Sequence, residues 1–503
     1  MWMVMNTNEA VKALKKLEET LGAYSHVLGV TSLDASTAAP KGTSEGRGQV
    51  FGILSEVIYG LLVNPENEEI LSMLEADKDA LDAQTRREAE QLRKEYDKIH
   101  RVPAEEYVAY QVLLNDAQTV WEKAKNENDF DAFTPYLEKI VAYNRKAAGW
   151  FHPEMEPYDA LLNEYEEGLT METLDAFFAS LRSTIVPLLA AIREAEQIDD
   201  SCLNQCYPIA SQRVFSEYLM DVLGLDRRYC GIAETEHPFT TNFNNRDVRI
   251  TTHYHEENVA SSMYSVIHEG GHALYELGCD DCYNYTFLAG GVSTAIHESQ
   301  SRFFENIIGR SEAFISSIYP KLQELFPEQL KDVSAEAFYR AVNKVQPSLI
   351  RTEADELTYS LHIMVRYELE KQLISGELDV CNVPAQWNRL YKEYLGVDVP
   401  NDTKGCLQDT HWAGGMIGYF PSYALGSAYG PQMLSVMEKQ RGAIAGEVAR
   451  GDLSGVRDWL KENIHRYAGF YRPAELFKRA CGEFSAQYYT DYLVEKYTKL
   501  YGL

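Results

Sequence analysis

Through most of the first 230 residues apolar side chains recur at three- and four-residue spacing among charged ones, the period of amphipathic helices. The pattern predicts helices at about 7–29, 44–63, 66–77, 82–100, 104–126, 130–150, 157–167, 171–196 and 209–223, punctuated by Pro65, Pro103, Pro153 and Pro157. The charged run from Arg86 to Lys98 is a solvated helix face. Between about 229 and 254 the texture changes. Tyr229–Ala233, His237–Asn242 and Asp247–Tyr254 are short, rich in Thr, Ile, Val and Phe, and separated by turn residues, which predicts a small antiparallel sheet. Helical periodicity returns around Ser265–Tyr275 and Thr294–Glu305, then at about 311–325, 334–344, 353–375, 384–394, 431–450, 453–463 and 472–501. The fold class is therefore mainly α with one small sheet. Neither a fixed-period repeat nor a Gly/Ser linker divides the chain. We expect residues 1–503 to form a single unit with a helical region at about 1–228, a central region at 229–310 and a second helical region at 311–503.

The central region carries chemistry. His268-Glu269-Gly270-Gly271-His272 reads His-Glu-x-x-His within a helix. Two imidazoles four residues apart share one face and can offer nitrogens to a single ion, with Glu269 one step round the helix and able to reach a water beside it. Gly270 and Gly271 each cost about 1 kcal/mol against alanine in mid-helix, which a sequence tolerates where something approaches the backbone closely. Ser293 is placed to cap the following helix, and Glu298 lies 26 residues beyond His272, suited to close a His, His, Glu set with one position open. His297 fits a supporting or core role better than ligation. The expected metal ligands are His268, His272 and Glu298, with Glu269 as general base. The donor set suits Zn2+, one per chain, with Co2+ or Mn2+ possible. Such an ion polarises a scissile carbonyl and acidifies water, the equipment for amide hydrolysis.

Charge narrows the partners. With 47 Lys+Arg against 76 Asp+Glu, the net charge is −29, which argues against a nucleic-acid backbone or an anionic membrane surface. Met1–Asn6 does not read as a charged leader, and no 18-residue apolar stretch stands out, so a cytoplasmic location is expected. Eight cysteines are sparse for this length and fit reduced thiols, the lone Cys279-x-x-Cys282 included.

Further blocks complete the picture: His237-Pro238-Phe239, Asp247-x-Arg249-x-Thr251, His297-Glu298-Ser299-Gln300, Ile350-Arg351-x-x-Ala354-Asp355 and Gly405-x-x-Gln408-Asp409-x-His411-Trp412, with Tyr158–Glu166 upstream. Together with His268-Glu269-x-x-His272 they resemble the signature blocks of the Taq-type metallocarboxypeptidases, within the gluzincin zinc peptidases, over nearly the whole chain. The resemblance implies a helical clamshell around a deep groove with the metal helix at its floor, removal of single residues from peptide C-termini, and a homodimer. In one respect the chain departs from the wider gluzincin pattern. Where many of those enzymes place an Asp four residues after the glutamate ligand to orient a histidine, this chain has Arg302. Asp355, Glu356 and Glu305 are the candidates to replace it.

A tetrahedral oxyanion calls for a His or Tyr donor, and His411 and Tyr423 are the candidates. A terminal carboxylate calls for a guanidinium, from Arg351 in preference to Arg249. His237 either contacts substrate or shapes a turn. Two other readings stand beside the carboxypeptidase: an oligopeptidase cutting inside short peptides, and a non-catalytic scaffold with a residual metal site. Glu269 argues against the latter, because metal binding alone has no need of it.

Overall fold

A computed structural model describes residues 5–503. Among them are twenty α-helices and one three-stranded sheet. The helix with the His-Glu-x-x-His motif, Val259–Gly278, starts at Asn258, whose side chain accepts from the Ser261 N–H, and is buried on nearly every side. It packs against Ile209–Leu223, the sheet and the helix Thr294–Arg302.

The sheet is mixed rather than antiparallel. Its strands β1 (Cys230–Glu234), β2 (Thr240–Asn244) and β3 (Asp247–Thr252) lie in the order β1-β3-β2. β3 pairs parallel with β1 and antiparallel with β2. Only the β2–β3 link is a hairpin. Residues 235–239 carry the chain past the place β3 later fills, so strands adjacent in sequence are not adjacent in space. Turn signals mark where the chain reverses and not which strands pair, and that is why the expectation failed. β2 is left as the edge beside the motif helix.

Helix bounds also differ from expectation: the first helix runs on to Thr37, Pro157–Asn163 stops four residues early, and two later assignments change further. The helix expected at 431–450 runs from Pro421 to Arg441, with Pro421 in its first turn, and a separate short turn follows at Ala445–Val448. Its glycines give it a loop-like composition for a packing reason. A Cβ on Gly426 would stand 2.7 Å from the Cβ and Cγ of Glu298, so the bare backbone lets this helix lie directly on the one carrying that glutamate. The expected 472–501 helix is two, Pro473–Cys481 and Gln487–Tyr501, broken at Gly482 with φ +79°.

Most buried apolar side chains form one core, and a smaller cluster, including Leu14, Leu71, Leu74 and Leu92, joins the N-terminal helices. Met171–Glu194 is long and apolar enough to cross a membrane by length and composition, contrary to the reading of the sequence. Its Leu174, Phe177, Leu181, Ile185, Leu189 and Ile192 are buried in the main core, and Asp175 on the same helix accepts from the Tyr367 hydroxyl at 2.7 Å.

Candidate active site

Gly271 explains how the two halves of the motif meet. A Cβ there would lie 2.6 Å from the Gln300 carbonyl oxygen and 2.7 Å from Ser301 Cα, so the helix Thr294–Arg302 crosses the motif helix in direct backbone contact. Ser293 caps that helix, accepting from the Ile296 N–H. The crossing sets Glu298 opposite the two histidines. Nε2 of His268 and of His272 stand 3.9 and 3.6 Å from Glu298 Oε2, and one donor atom from each residue falls within 4.8 Å of the others.

The far side of every donor is engaged. Immediately after Arg302 the chain makes a π-helical turn, Phe303–Ile308, which brings Glu305 Oε2 to 2.8 Å from His268 Nδ1. Of the three candidates for this role, Glu305 fills it. Asp355 instead caps the helix Glu356–Ser375, and Glu356 accepts from Tyr492 and Tyr497 and pairs with Lys496. His272 Nδ1 meets His297 Nδ1 at 2.6 Å, and His297 Nε2 meets Glu276 Oε1 at 2.7 Å. Glu276 can only accept, so His297 donates to it through Nε2–H. Nδ1 of the neutral His297 ring then accepts from His272, and the lone pair of His272 is left on Nε2, facing Glu298. Asn242 Nδ2 (2.6 Å) and the Gly291 N–H (3.0 Å) hold the other end of the relay on Glu276.

Arg302 takes up the second oxygen of the glutamate, donating from Nε to Glu298 Oε1 at 2.8 Å, and its guanidinium lies 4.1 Å from the centre of the Tyr359 ring. Arg302 therefore sets a cation on the carboxylate ligand, while the acid on the histidine comes from Glu305, three residues further along. Burial drives His272 well below the usual histidine range, in keeping with a neutral ligand. At His268 burial also opposes the charged form, but Glu298 and Glu305 outweigh it and raise the pKa.

Glu269 is buried beside this set and bonded to Thr240 of β2, whose hydroxyl stands 2.7 Å from Glu269 Oε2 and 3.0 Å from its carbonyl oxygen. Burial raises its pKa, partly offset by His268 and Thr240. Sequence reasoning missed Thr240. Its signal, a polar residue on an edge strand, becomes legible only once the strand order is known.

A cavity of about 640 Å³ opens over these groups, with His268, Glu269, His272 and Glu298 on its floor and Tyr165, Tyr419 and Tyr423 in its walls. Tyr423 thus reaches the site. Tyr419, one of 33 tyrosines and without a distinguishing pattern, was missed; its ring packs edge to face on Tyr423 at 5.3 Å. His411 stands behind them, 5.5 Å from Tyr419 and 6.2 Å from Tyr423 between ring centres. Burial pushes its pKa down to about 4, and its Nδ1 has no hydrogen-bond partner among the described residues.

Arg351 is buried next to this wall, its guanidinium 5.1 Å from the Tyr423 ring centre. Nε and Nη2 donate to Asp409 Oδ1 at 3.0 and 2.8 Å, and Nη1 donates to the Tyr359 hydroxyl at 3.2 Å. Asp409 also accepts from Arg366, so two buried guanidiniums share one carboxylate and the cluster keeps a positive excess. Arg249 and His237 are not brought to the cavity. Arg249 pairs with Asp247 at 2.9 Å and lies over Phe243; His237 is exposed, while Pro238, Phe239 and Thr240 after it line the wall.

Comparison with known proteins gives one consistent picture. A family model described as Carboxypeptidase Taq (M32) metallopeptidase matches residues 13–497. "Carboxypeptidase 1" of Bacillus subtilis (strain 168) is 39% identical over 487 residues, 96% of this chain and 97% of that protein. "Thermostable carboxypeptidase 1" of Pyrococcus furiosus is 36% identical, over 97% of this chain and 99% of that protein. The crystal structure of a carboxypeptidase from Deinococcus radiodurans R1 superposes with a TM-score of 0.95 at 36% identity, covering 98% of this chain and 100% of that one.

Proposed function

The chain belongs to the carboxypeptidase Taq family of metallopeptidases, and from that premise we propose that it removes single residues from the free C-termini of peptides with one zinc ion held by His268, His272 and Glu298. The convergence of three donor atoms within 4.8 Å, each with its far side engaged, carries the reading. Two imidazoles and one carboxylate are the ligand set of a hydrolytic zinc site; cobalt or manganese would also be accepted. The ion, once bound, supplies a Lewis acid for the scissile carbonyl and lowers the pKa of water. Glu269 takes the proton of the attacking water and returns it to the leaving amine, with Thr240 fixing one carboxylate oxygen so that Oε1 faces the reaction.

Tyr423 stays protonated, since burial raises its phenol well above the usual range, and it serves with the neutral His411 to stabilise the oxyanion. Arg351 receives the terminal carboxylate. Three of its five N–H groups are used within the protein, which leaves two for a fork on substrate, and the excess charge of the Arg351–Asp409–Arg366 cluster supports an anion. The β2 edge offers main-chain groups to the extended peptide, a mode indifferent to side-chain sequence. Because residues from Glu164 to Tyr423 line one cavity, the whole chain acts as one catalytic unit. A homodimer in the cytoplasm completes the proposal, the dimer on the likeness to the family and the location on the few, unpaired cysteines and the anionic composition.

The test is mass spectrometry of an unblocked peptide mixture incubated with the protein, with and without chelator. Loss of one residue at a time from C-termini, abolished by chelation, is expected. Glu269→Gln should keep the metal and lower kcat by several orders of magnitude. Internal cleavage, or full activity without metal, overturns the reading.

A further inference from the structure

Glu370 has no role in the chemistry above, yet it is a fully buried carboxylate at the junction of the cavity walls. It sits on the helix Glu356–Ser375 and accepts three hydrogen bonds: from the Trp412 indole N–H at 2.7 Å, the Gly418 peptide N–H at 2.9 Å and the Tyr158 hydroxyl at 2.8 Å. Each donor adjoins a segment of the site. Trp412 follows His411, Gly418 precedes Tyr419, and Tyr158 lies in the helix Pro157–Asn163 that runs into Glu164 and Tyr165 of the opposite wall. The two walls touch where Tyr165 meets Tyr419 edge to face at 5.1 Å. They are also pressed together at Gly418, with φ +93°, where a Cβ would lie 3.0 Å from the Leu161 carbonyl carbon and oxygen.

We propose that Glu370 is a positioning residue for the reaction, fixing the 412–418 loop against the 158–165 wall and so setting where Tyr419 stands in the cavity wall and where His411 stands behind it. The inference rests on the peptidase reading. A carboxylate is required because the indole and peptide N–H groups can only donate; an amide in its place must turn an N–H toward one of them whichever way it is oriented. Burial raises the Glu370 pKa to about 7, and the three donors lower it only in part. The group therefore costs stability as an ion, which argues for a role beyond holding the core together.

The test compares holoenzymes on an unblocked peptide, with kcat, KM, metal content and Tm measured for each. Glu370→Gln should lower kcat by about tenfold to a hundredfold, the scale of an ångström-sized misplacement of reacting groups. KM should change by less than about threefold and the metal should stay fully bound, since neither Arg351 nor the ligands are hydrogen-bonded to this carboxylate. Adding Trp412→Phe removes the opposing N–H, so the double variant should recover about tenfold over Glu370→Gln. A purely structural role predicts falling Tm and soluble yield with unchanged kcat per metal-loaded molecule, and that result overturns the proposal. So do loss of metal in Glu370→Gln and a double variant no faster than the single. If Glu370→Gln does not fold, Tyr158→Phe removes one donor and keeps the carboxylate; its kcat must fall by about threefold or more, and a wild-type kcat overturns the proposal. A wild-type protein that fails to cleave sinks the peptidase reading and this inference with it, whereas variants as fast as a wild type that cleaves sink this inference alone.

Discussion

Alanine at Gly271 should loosen the metal without unfolding the protein. The added Cβ would stand 2.7 Å from Ser301 Cα and 2.6 Å from the Gln300 carbonyl oxygen, both backbone atoms that cannot swing aside. Reaching the 3.4 Å of ordinary contact requires the two helices to part by about 0.8 Å at the crossing. Glu298 is two residues from Gln300 on the displaced helix, and metal–ligand distances tolerate only about 0.2 Å. Metal affinity should therefore fall by about tenfold to a hundredfold or more, the range seen when the support of a ligand is lost. Gly426→Ala presses on Glu298 itself from the other side and should do the same. Two controls separate this from helix propensity. Gly270→Ala meets the end of the Leu223 side chain, at 2.5 Å, which can move; it should cost stability and leave the metal in place. Gly149→Ala, in a helix with nothing within 4 Å of the new Cβ, should stabilise by up to about 1 kcal/mol. Chelator competition gives the metal affinity and thermal melts give the stability. Wild-type affinity in Gly271→Ala, or an equal loss in Gly270→Ala, would show that the crossing does not set the ligand geometry.

Two further outcomes follow from the buried ionisable groups. Arg351→Met should reduce kcat/KM on free peptides by about a hundredfold, while amidating the peptide C-terminus should cost the wild type a similar factor and the variant little more, because the partner is already gone; additive losses would refute a direct contact. His465, buried with Nε2 on Gln300 Oε1 at 2.8 Å, has its pKa pushed by burial from 6.5 down to about 3. The native state stays neutral where the unfolded state takes up a proton, so its contribution to stability is full above about pH 6.5 and is lost as pH falls toward 3. Denaturant titrations at several pH values should find that slope reduced in His465→Gln, and an unchanged slope would refute the assignment.

How much of this was legible depended on how far apart in the chain the cooperating residues lie. His268 and His272 are fixed by the turn of a single helix, Glu298 by the next helix, and the structure sets all three on one point. Glu305 could be named as a candidate because it shares the segment of the glutamate ligand, but choosing it over Asp355 and Glu356 required the π-helical turn, which leaves no composition signal. Thr240 and Tyr419 could not be singled out, because their positions depend on strand order and on a loop held by a carboxylate from a distant helix. The antiparallel sheet and the late start assigned to the Pro421–Arg441 helix failed for a related reason: local turn and glycine signals were read as local structure when they served contacts elsewhere. Gly271 shows that such a signal can be turned to use. Its helix cost is visible in the sequence, and a local cost with no local gain implies a partner backbone at that residue. Gly426 carries the same implication on the helix whose beginning was misplaced. Two such costs, one on either side of Glu298, locate the ligand between two backbones, a constraint that neither the motif spacing nor the helical periodicity contains.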